Sequence, residues 1–317
     1  MSIIGRIRDT KVGAVVLTAT DEGANEAPVA PSRLDAILHG EAEDRVRLRA
    51  LPGFARIVRG AASKLCTCYQ GDHIFSRLMN DRGRLTLFSL MIDMHFEPAS
   101  AQGLTSGRLK AEASALDICS PGRVTAVLAA CRMFGLVAAA PDADRRRRRL
   151  VITDKLLDMH KARWGLMLEA LAEMRPEGAL GLRHLHNTAF IAPYAAALLE
   201  PLREGWRPIV DVPSIEMFVD RDGGLMLAFA LFGNAERGTP LSAAGLARTY
   251  RLSRSHIVDI LQKAVESGLA RRVDDRAQGG PGFVAEPALI EAMESLMATA
   301  LVRQSRAVRR GLEAVEP

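Results

Sequence analysis

Apolar residues recur at helical spacing over most of this 317-residue chain, and charged stretches interrupt them at two places. From Leu51 onward, Phe54, Ile57 and Val58 lie three or four positions apart, which places them on one face of a helix. The same spacing predicts helices over 85–95, 108–116, 120–134, 154–174, 189–202, 225–232, 241–250, 253–268 and 288–312. The two charged stretches, 136–153 and 271–284, have the features of hairpins. The pattern therefore predicts a mainly α-helical protein with small β-hairpins.

Changes in composition divide the chain into four parts. Residues 1–50 are expected to form a weakly structured, partly disordered extension, because 21–32 are rich in Pro, Ala and acidic residues. Residues 51–175 and 223–317 are predicted to form one domain each, joined by a helical connector over 176–222. Two domains agree with the length of the chain.

An internal repeat relates the two predicted domains. The segment 120–137 aligns with 253–270 without a gap, so one constant offset relates every pair of aligned positions. We call this the repeat offset. Ser120 and Ser253 begin the two helices as N-caps, and Gly135 and Gly268 end them. A short helix precedes each copy, with about one extra turn in the first, and a hairpin and a long helix follow. We therefore expect two copies of one structural unit.

The residues after the first copy, 144–153 (DRRRRRLVIT), resemble the wing of MarR-type winged-helix regulators. In that family an Asp-Arg-rich tip is followed by an apolar strand ending in Thr and a long helix. The segment 120–137 is similar to the recognition helix of the family, and the resemblance extends over 85–164. The second copy resembles a generic winged helix, and its 279–282 (GGPG) departs from the Arg-rich pattern. The resemblance implies tandem winged helix-turn-helix domains that form a pseudo-dimer within one chain.

In a helix-turn-helix, the N-terminal residues of the second helix reach base edges in the major groove. The candidate DNA contacts on the two helices are Ser120, Gly122, Arg123, Thr125, Ser253, Arg254, Ser255 and His256. Arg123 has the donor geometry to bind guanine O6 and N7. Arginines in a wing bind phosphates or a narrow minor groove. The candidates there are Arg145, Arg146, Arg147, Arg148 and Arg149 in the first wing, and Arg271, Arg272 and Arg276 in the second.

The charge composition is compatible with this interpretation. The formal net charge is +5, and only six of the 42 basic residues are Lys. Arginine offers a rigid fork of donors that suits phosphates and guanine, although a GC-rich coding sequence produces the same bias.

Other classes of protein have little support in the sequence. Cys66 and Cys68 form a lone CxC pair without the four-ligand spacing of a zinc site. His184 and His186 would share a face in a strand, but their segment is predicted as helix or turn, so a metal site is not expected there. Nucleotide-binding, serine-hydrolase and metalloprotease motifs are absent, as are membrane-spanning apolar runs and a signal peptide. We therefore expect a cytoplasmic, nucleoid-associated protein that is not an enzyme, uses no cofactor or metal, and binds double-stranded DNA.

Several alternatives remain open. The favoured function is a sequence-specific transcription regulator, and the second is a replication initiator or a nucleoid- or phage-type DNA-binding protein. A third is a protein-interaction module, and a fourth is a sensor with a ligand pocket beside 189–202. A homodimer through 154–174 and 288–312 is also compatible with the sequence, which identifies no effector.

Overall fold

The computed structural model describes residues 32–71, 78, 81–98, 100–141, 148–275 and 280–315. The helices and strands of the N-terminal half (32–174) are α1 (Arg33–Arg49), α2 (Phe54–Gly71), α3 (Arg82–Phe96), α4 (Ser106–Ala115), α5 (Pro121–Met133), β1 (Val137–Ala139), β2 (Leu150–Ile152) and α6 (Asp154–Ala172). Those of the C-terminal half (175–315) are α7 (Pro176–His184), α8 (Thr188–Arg203), α9 (Pro208–Asp211), a 3-10 turn (Pro213–Ile215), α10 (Glu216–Val219), α11 (Gly224–Gly233), β3 (Leu241–Ser242), α12 (Ala243–Tyr250), α13 (Arg254–Glu266), β4 (Ala270–Asp275), β5 (Gly280–Ala285) and α14 (Pro287–Leu312). The described chain is mainly helical with small antiparallel sheets, as predicted.

The two small sheets have the same strand order. In the C-terminal half, β5 lies between β3 and β4, and both neighbours run antiparallel to it. In the N-terminal half, β1 pairs with β2, and an isolated bridge joins Thr105 to Arg149, next to the start of β2. Thr105 therefore takes the place in the first sheet that β3 takes in the second.

The backbone hydrogen bonds around the hairpins follow the repeat offset. The N–H of Leu136 donates to Cys131 O over 2.8 Å, and the N–H of Leu269 donates to Ala264 O over 2.8 Å. The helices after the hairpins, α6 and α14, begin at positions related by the same offset.

The two copies differ in length before α5 and α13. The stretch between the N-caps of α4 and α5, Thr105 and Ser120, is about one helical turn longer than the stretch between those of α12 and α13, Ser242 and Ser253. The predicted extra turn in the first copy is confirmed.

The helices that precede each repeated unit pack against the opposite half. α2 packs on α11 of the C-terminal half, and α8 packs on α3 of the N-terminal half. Likewise α1 packs on α14, α7 packs on α6, and α6 and α14 contact each other. A contact made in both directions is the signature of a twofold-related pair. The predicted connector, 176–222, therefore contributes α7 and α8 to the centre of the molecule.

A continuous apolar core passes through both halves. Its largest fully buried side chains include Phe88 in α3, Phe190 and Tyr194 in α8, and Phe232 in α11. Tyr194 stacks on Phe190 and meets the edge of Trp164 in α6, each at a centroid distance of 5.3 Å. Because aromatic side chains bury large areas, this group helps to hold α3, α6 and α8 together.

The expectation of a weakly structured segment through residue 50 is wrong for Arg33–Arg49. Ser32 caps α1: its Oγ accepts from the N–H of Asp35 over 3.1 Å, and the Asp35 carboxylate accepts from the N–H of Ser32 over 3.1 Å. Glu41, on the buried side of α1, pairs with Arg303 of α14 over 3.0 Å. Local pattern analysis missed this helix because an ion pair with a distant residue anchors it. Residues 1–31 lie outside the described part.

Candidate nucleic-acid interface

The first turn of α5 faces solvent while its opposite face is buried. Ser120 Oγ accepts from the N–H of Arg123 over 3.3 Å and fixes the start of the helix. Val124, Val127 and Leu128 pack into the core. The predicted contact residues that this arrangement brings together at the exposed start are Ser120, Gly122, Arg123 and Thr125. The Thr125 hydroxyl donates to Pro121 O over 2.9 Å, so it remains available to a ligand as an acceptor.

The start of α13 is built in the same way. Ser253 Oγ accepts from the N–H of His256 over 3.2 Å. Ile257, Ile260 and Leu261 form the buried face. The predicted residues at this helix start are Ser253, Arg254 and Ser255, which are exposed, and His256, which is partly buried. Each half of the molecule therefore presents a capped helix start with polar side chains.

Two carboxylates form ion pairs with Arg123 at the start of α5. Arg123 Nη2 lies 2.8 Å from Asp81 Oδ2 and 3.8 Å from Asp222 Oδ1. Asp81 also caps α3, since its carboxylate accepts from the N–H of Arg84 over 3.0 Å. The Arg123 side chain is 41% exposed. Its charge is balanced by carboxylates, but water and ligands can still reach it.

Asp222 contacts both helix starts. Its carboxylate faces Arg123, and its backbone oxygen lies 2.8 Å from Nε2 of His256 in α13. Arg82 pairs with Asp220 over 3.0 Å and strengthens the same connection between the halves. We call Asp81, Arg82, Asp220 and Asp222 the inter-half bridge. Sequence analysis missed it because these residues lie just before or at the start of α3 and α11, in segments without a recognisable motif.

The two described arginines of the first hairpin point in different directions. Arg148 is exposed, with a positive φ of 45°. Arg149 is partly buried and lies against Gly103, where a Cβ atom would come within 2.6 Å of its Nη2. The absence of a side chain at Gly103 therefore makes room for Arg149 against the protein body. The other three predicted contacts of this hairpin lie outside the described residues: Arg145, Arg146 and Arg147.

The second hairpin places its arginines on opposite faces. Arg271 and Arg272 are adjacent and exposed in β4, so their side chains alternate across the strand. Arg271 pairs with Glu286 over 3.0 Å. Arg276 lies outside the described residues.

The described residues contain no group of three or more His, Cys, Asp or Glu side chains arranged to hold a metal ion. The four cysteines are free thiols. Burial raises the pKa of Cys66 to about 11 and that of Cys131 to about 12, so both stay protonated at neutral pH. Thiolates, rather than thiols, bind metals and act as nucleophiles.

None of the described helices is both long and apolar enough to cross a lipid bilayer. No family model, curated protein or solved structure matches the chain.

Proposed function

We propose that this chain is a sequence-specific transcription regulator that binds double-stranded DNA through two winged helix-turn-helix units. The first unit runs from α3 to α6 and the second from α11 to α14. The observation that carries the proposal is the internal repeat, which gives each half a capped helix with an exposed polar start, followed by a hairpin. A capped helix start of this kind fits the major groove, and an adjacent hairpin reaches the backbone or the minor groove.

The strand order supports this function. The second strand of each hairpin is joined to the residues before the helix pair, by the short strand β3 in the C-terminal half and by the single bridged residue Thr105 in the N-terminal half. The hairpin is therefore fixed next to the helix pair. The resemblance of 144–153 to a MarR-type wing points in the same direction. In this proposal Arg148, rather than the inward-facing Arg149, contacts the phosphates.

Equivalent positions of the two helix starts carry different side chains. At the repeat offset, Gly122 corresponds to Ser255 and Arg123 to His256. The reciprocal packing of the halves relates the two helices as in a twofold dimer. We therefore expect the DNA target to contain two dissimilar half-sites in inverted orientation.

The ion pairs of Arg123 do not prevent it from reading DNA. An exposed ion pair contributes at most about 1 kcal/mol, while a good bidentate contact with the correct base contributes about 1–3 kcal/mol of discrimination. Exchange of the half-exposed Asp222 for guanine is therefore favourable at the correct sequence. Asp81 is 8% exposed, but it keeps its ion pair with Arg84 over 3.0 Å when Arg123 contacts DNA. At other sequences the carboxylates compete and increase specificity.

A mobility-shift assay with random duplex DNA at low and moderate salt tests the proposal, followed by sequencing of the bound pool. We expect salt-sensitive binding, because the protein replaces counterions on phosphates, and enrichment of two half-sites. Salt-sensitive binding without enrichment would contradict sequence specificity. No binding at low salt would contradict DNA binding altogether and favour a protein-interaction module.

A further inference from the structure

The solvent-facing side of α5 is apolar after its first turn. Ala126, Ala129 and Met133 are exposed and lie three or four positions apart, so their side chains project from one side of the helix. We call these three residues the apolar side of α5. Met133 is 74% exposed, the most exposed large hydrophobic side chain among the described residues. Adjoining apolar side chains that remain in water mark a contact surface more often than scattered ones do.

Cations border the apolar side of α5. With 3.6 residues per turn, Arg123 and Arg132 fall on its opposite edges, and both are exposed. At the end of the helix, the exposed Lys155 donates from Nζ to Phe134 O over 3.2 Å. An apolar surface between cations fits the major groove, where base edges that include thymine methyl groups form the floor and phosphates line both edges.

The equivalent side of α13 is polar. At the repeat offset, the three positions of the apolar side carry Asp259, Gln262 and Glu266. Gln262 and Glu266 are exposed, and the Asp259 side chain is 47% exposed and pairs with Arg221 and Lys263. A carboxylate accepts from the amino group of cytosine, and a glutamine binds adenine through two hydrogen bonds. The two helices therefore have the same caps but offer a DNA ligand different chemistry.

The small side chains of α5 restrict how it can distinguish bases. The side chains of Ala126 and Ala129 have no hydrogen-bond donor or acceptor. Thr125, next to them, is exposed, and its hydroxyl donates to Pro121 O over 2.9 Å, so it has no proton left to give to a base. Alanine side chains and the methyl group of threonine make apolar contacts with the C5 methyl group of thymine.

We propose that α5 recognises thymine through its methyl group, with Thr125, Ala126 and Ala129 in contact with it, whereas α13 reads its half-site by hydrogen bonds. Met133 extends the apolar contact at the far end of α5. This inference rests on the DNA-binding function proposed above. One half-site should contain thymines beside the guanine that Arg123 contacts, and the other should not depend on thymine methyl groups.

Replacement of thymine by deoxyuridine tests the proposal, because uracil pairs with adenine in the same way but lacks the methyl group. The selected duplex is made with deoxyuridine in either half-site, and mobility shifts with the full chain measure both affinities at fixed salt. A parallel selection with Arg123→Ala identifies the α5 half-site, since its guanine preference is lost there. We expect about fourfold weaker binding for each contacted methyl group removed from the α5 half-site, and little change in the other.

The outcomes separate this inference from the proposed function. If deoxyuridine in the α5 half-site weakens binding no more than in the other half-site, or if the α5 half-site contains no thymine, the inference is overturned while DNA binding persists. The apolar side of α5 would then fit a protein partner. No binding to DNA at low salt would overturn the proposed function and this inference together.

A variant locates the contact. Ala129→Gln places the side chain of the equivalent position in α13 on α5, and it should reduce the loss of affinity caused by deoxyuridine. Ala162→Gln is the matched control, because Ala162 is an exposed alanine in the long helix α6. An unchanged ratio of the affinities for thymine and deoxyuridine in Ala129→Gln would contradict the assignment. Thermal melts check that each variant folds, and the native chain decides the proposal if Ala129→Gln does not fold or bind.

Discussion

A buried ion pair between two single residues joins the two halves of this molecule. Glu41 in α1 is 1% exposed and Arg303 in α14 is 7% exposed, and both Glu41 oxygens accept from the guanidinium. The pair connects two helices from opposite halves. A buried ion pair is a weak source of net stability, but removal of one partner leaves an uncompensated charge.

Glu41→Gln is expected to lower the free energy of unfolding by about 3–5 kcal/mol, because Arg303 would keep its charge in the core. Urea denaturation measures the change. Glu43→Gln in the same helix is the control, since the Glu43 side chain is 75% exposed and its loss should cost less than about 0.5 kcal/mol. Similar losses in both variants would show that the burial of Glu41 is not decisive.

His160 makes stability depend on pH. Burial, and to a lesser extent Arg163, lowers its folded pKa well below 6.5, and neither ring nitrogen has a hydrogen-bond partner among the described residues. Below pH 6.5 the unfolded chain therefore binds more protons at this residue than the folded chain. The free energy of unfolding falls with decreasing pH, by up to about 1.4 kcal/mol per pH unit from this group.

His160→Phe should reduce that slope. The free energy of unfolding is measured for both chains at several pH values between 5 and 7, and the native chain should lose more stability towards pH 5. Parallel curves for the two chains would contradict a neutral, buried His160. His95 should leave a smaller residual slope, since burial and then Arg149 lower its pKa as well.

The carboxylate of Asp222 should lower the affinity of the protein for DNA. Asp222→Asn removes one carboxylate that competes for Arg123, so under the proposed function it should raise DNA affinity by up to about fivefold, the equivalent of an exposed ion pair. Mobility shifts at fixed salt measure the change. Asp158→Asn, which removes an exposed carboxylate paired within α6, is the control. Weaker binding by Asp222→Asn would contradict the competition.

At the scale of elements, caps, stops and amphipathic faces could be predicted from sequence. The starts and ends of α5 and α13 follow from Ser120, Ser253, Gly135 and Gly268. The inter-half bridge could not, because its parts come from helices far apart in the chain. Periodicity indicates that a helix face is buried, but it does not identify the helix that covers it.

Close helix packing depends on glycines in α7. A Cβ at Gly178 would lie 2.1 Å from the backbone nitrogen of Ala172, whereas a Cβ at Gly107 in α4 would meet nothing within 4 Å. Gly178→Ala should therefore destabilise the chain by about 1–3 kcal/mol or more, since backbone must move. Gly107→Ala should be neutral or stabilising by up to about 1 kcal/mol. Urea denaturation compares the two, and equal effects would contradict close packing at Gly178.

At the scale of the whole molecule, the repeat was visible in the sequence, but the exchange of helices between halves was not. The apolar patterns of α2 and α8 show that one face is buried, but not which helices cover it. The structure packs each against the first helix of the opposite unit, α11 or α3, as well as against the long helix of its own half, α6 or α14. One chain thereby has the arrangement that other proteins obtain from two identical subunits.

Under the proposed function, one chain should occupy one DNA target. Native mass spectrometry of the complex should give one chain per duplex, and symmetric duplexes built from either half-site alone should bind more weakly than the selected target. A mismatched base pair costs about 1–3 kcal/mol, so at least about fivefold weaker binding is expected. Two chains per duplex, or equal affinity for a symmetric duplex, would contradict the expectation.

The exchange of helices within one polypeptide also affects how the protein responds to dilution. Two separate subunits come apart when their concentration falls below the dissociation constant, so their stability depends on how much protein a cell makes. Here the paired state forms by an intramolecular reaction, with a fixed effective concentration of one half around the other. The two halves of one chain would therefore be paired as fully at a few copies per cell as at thousands.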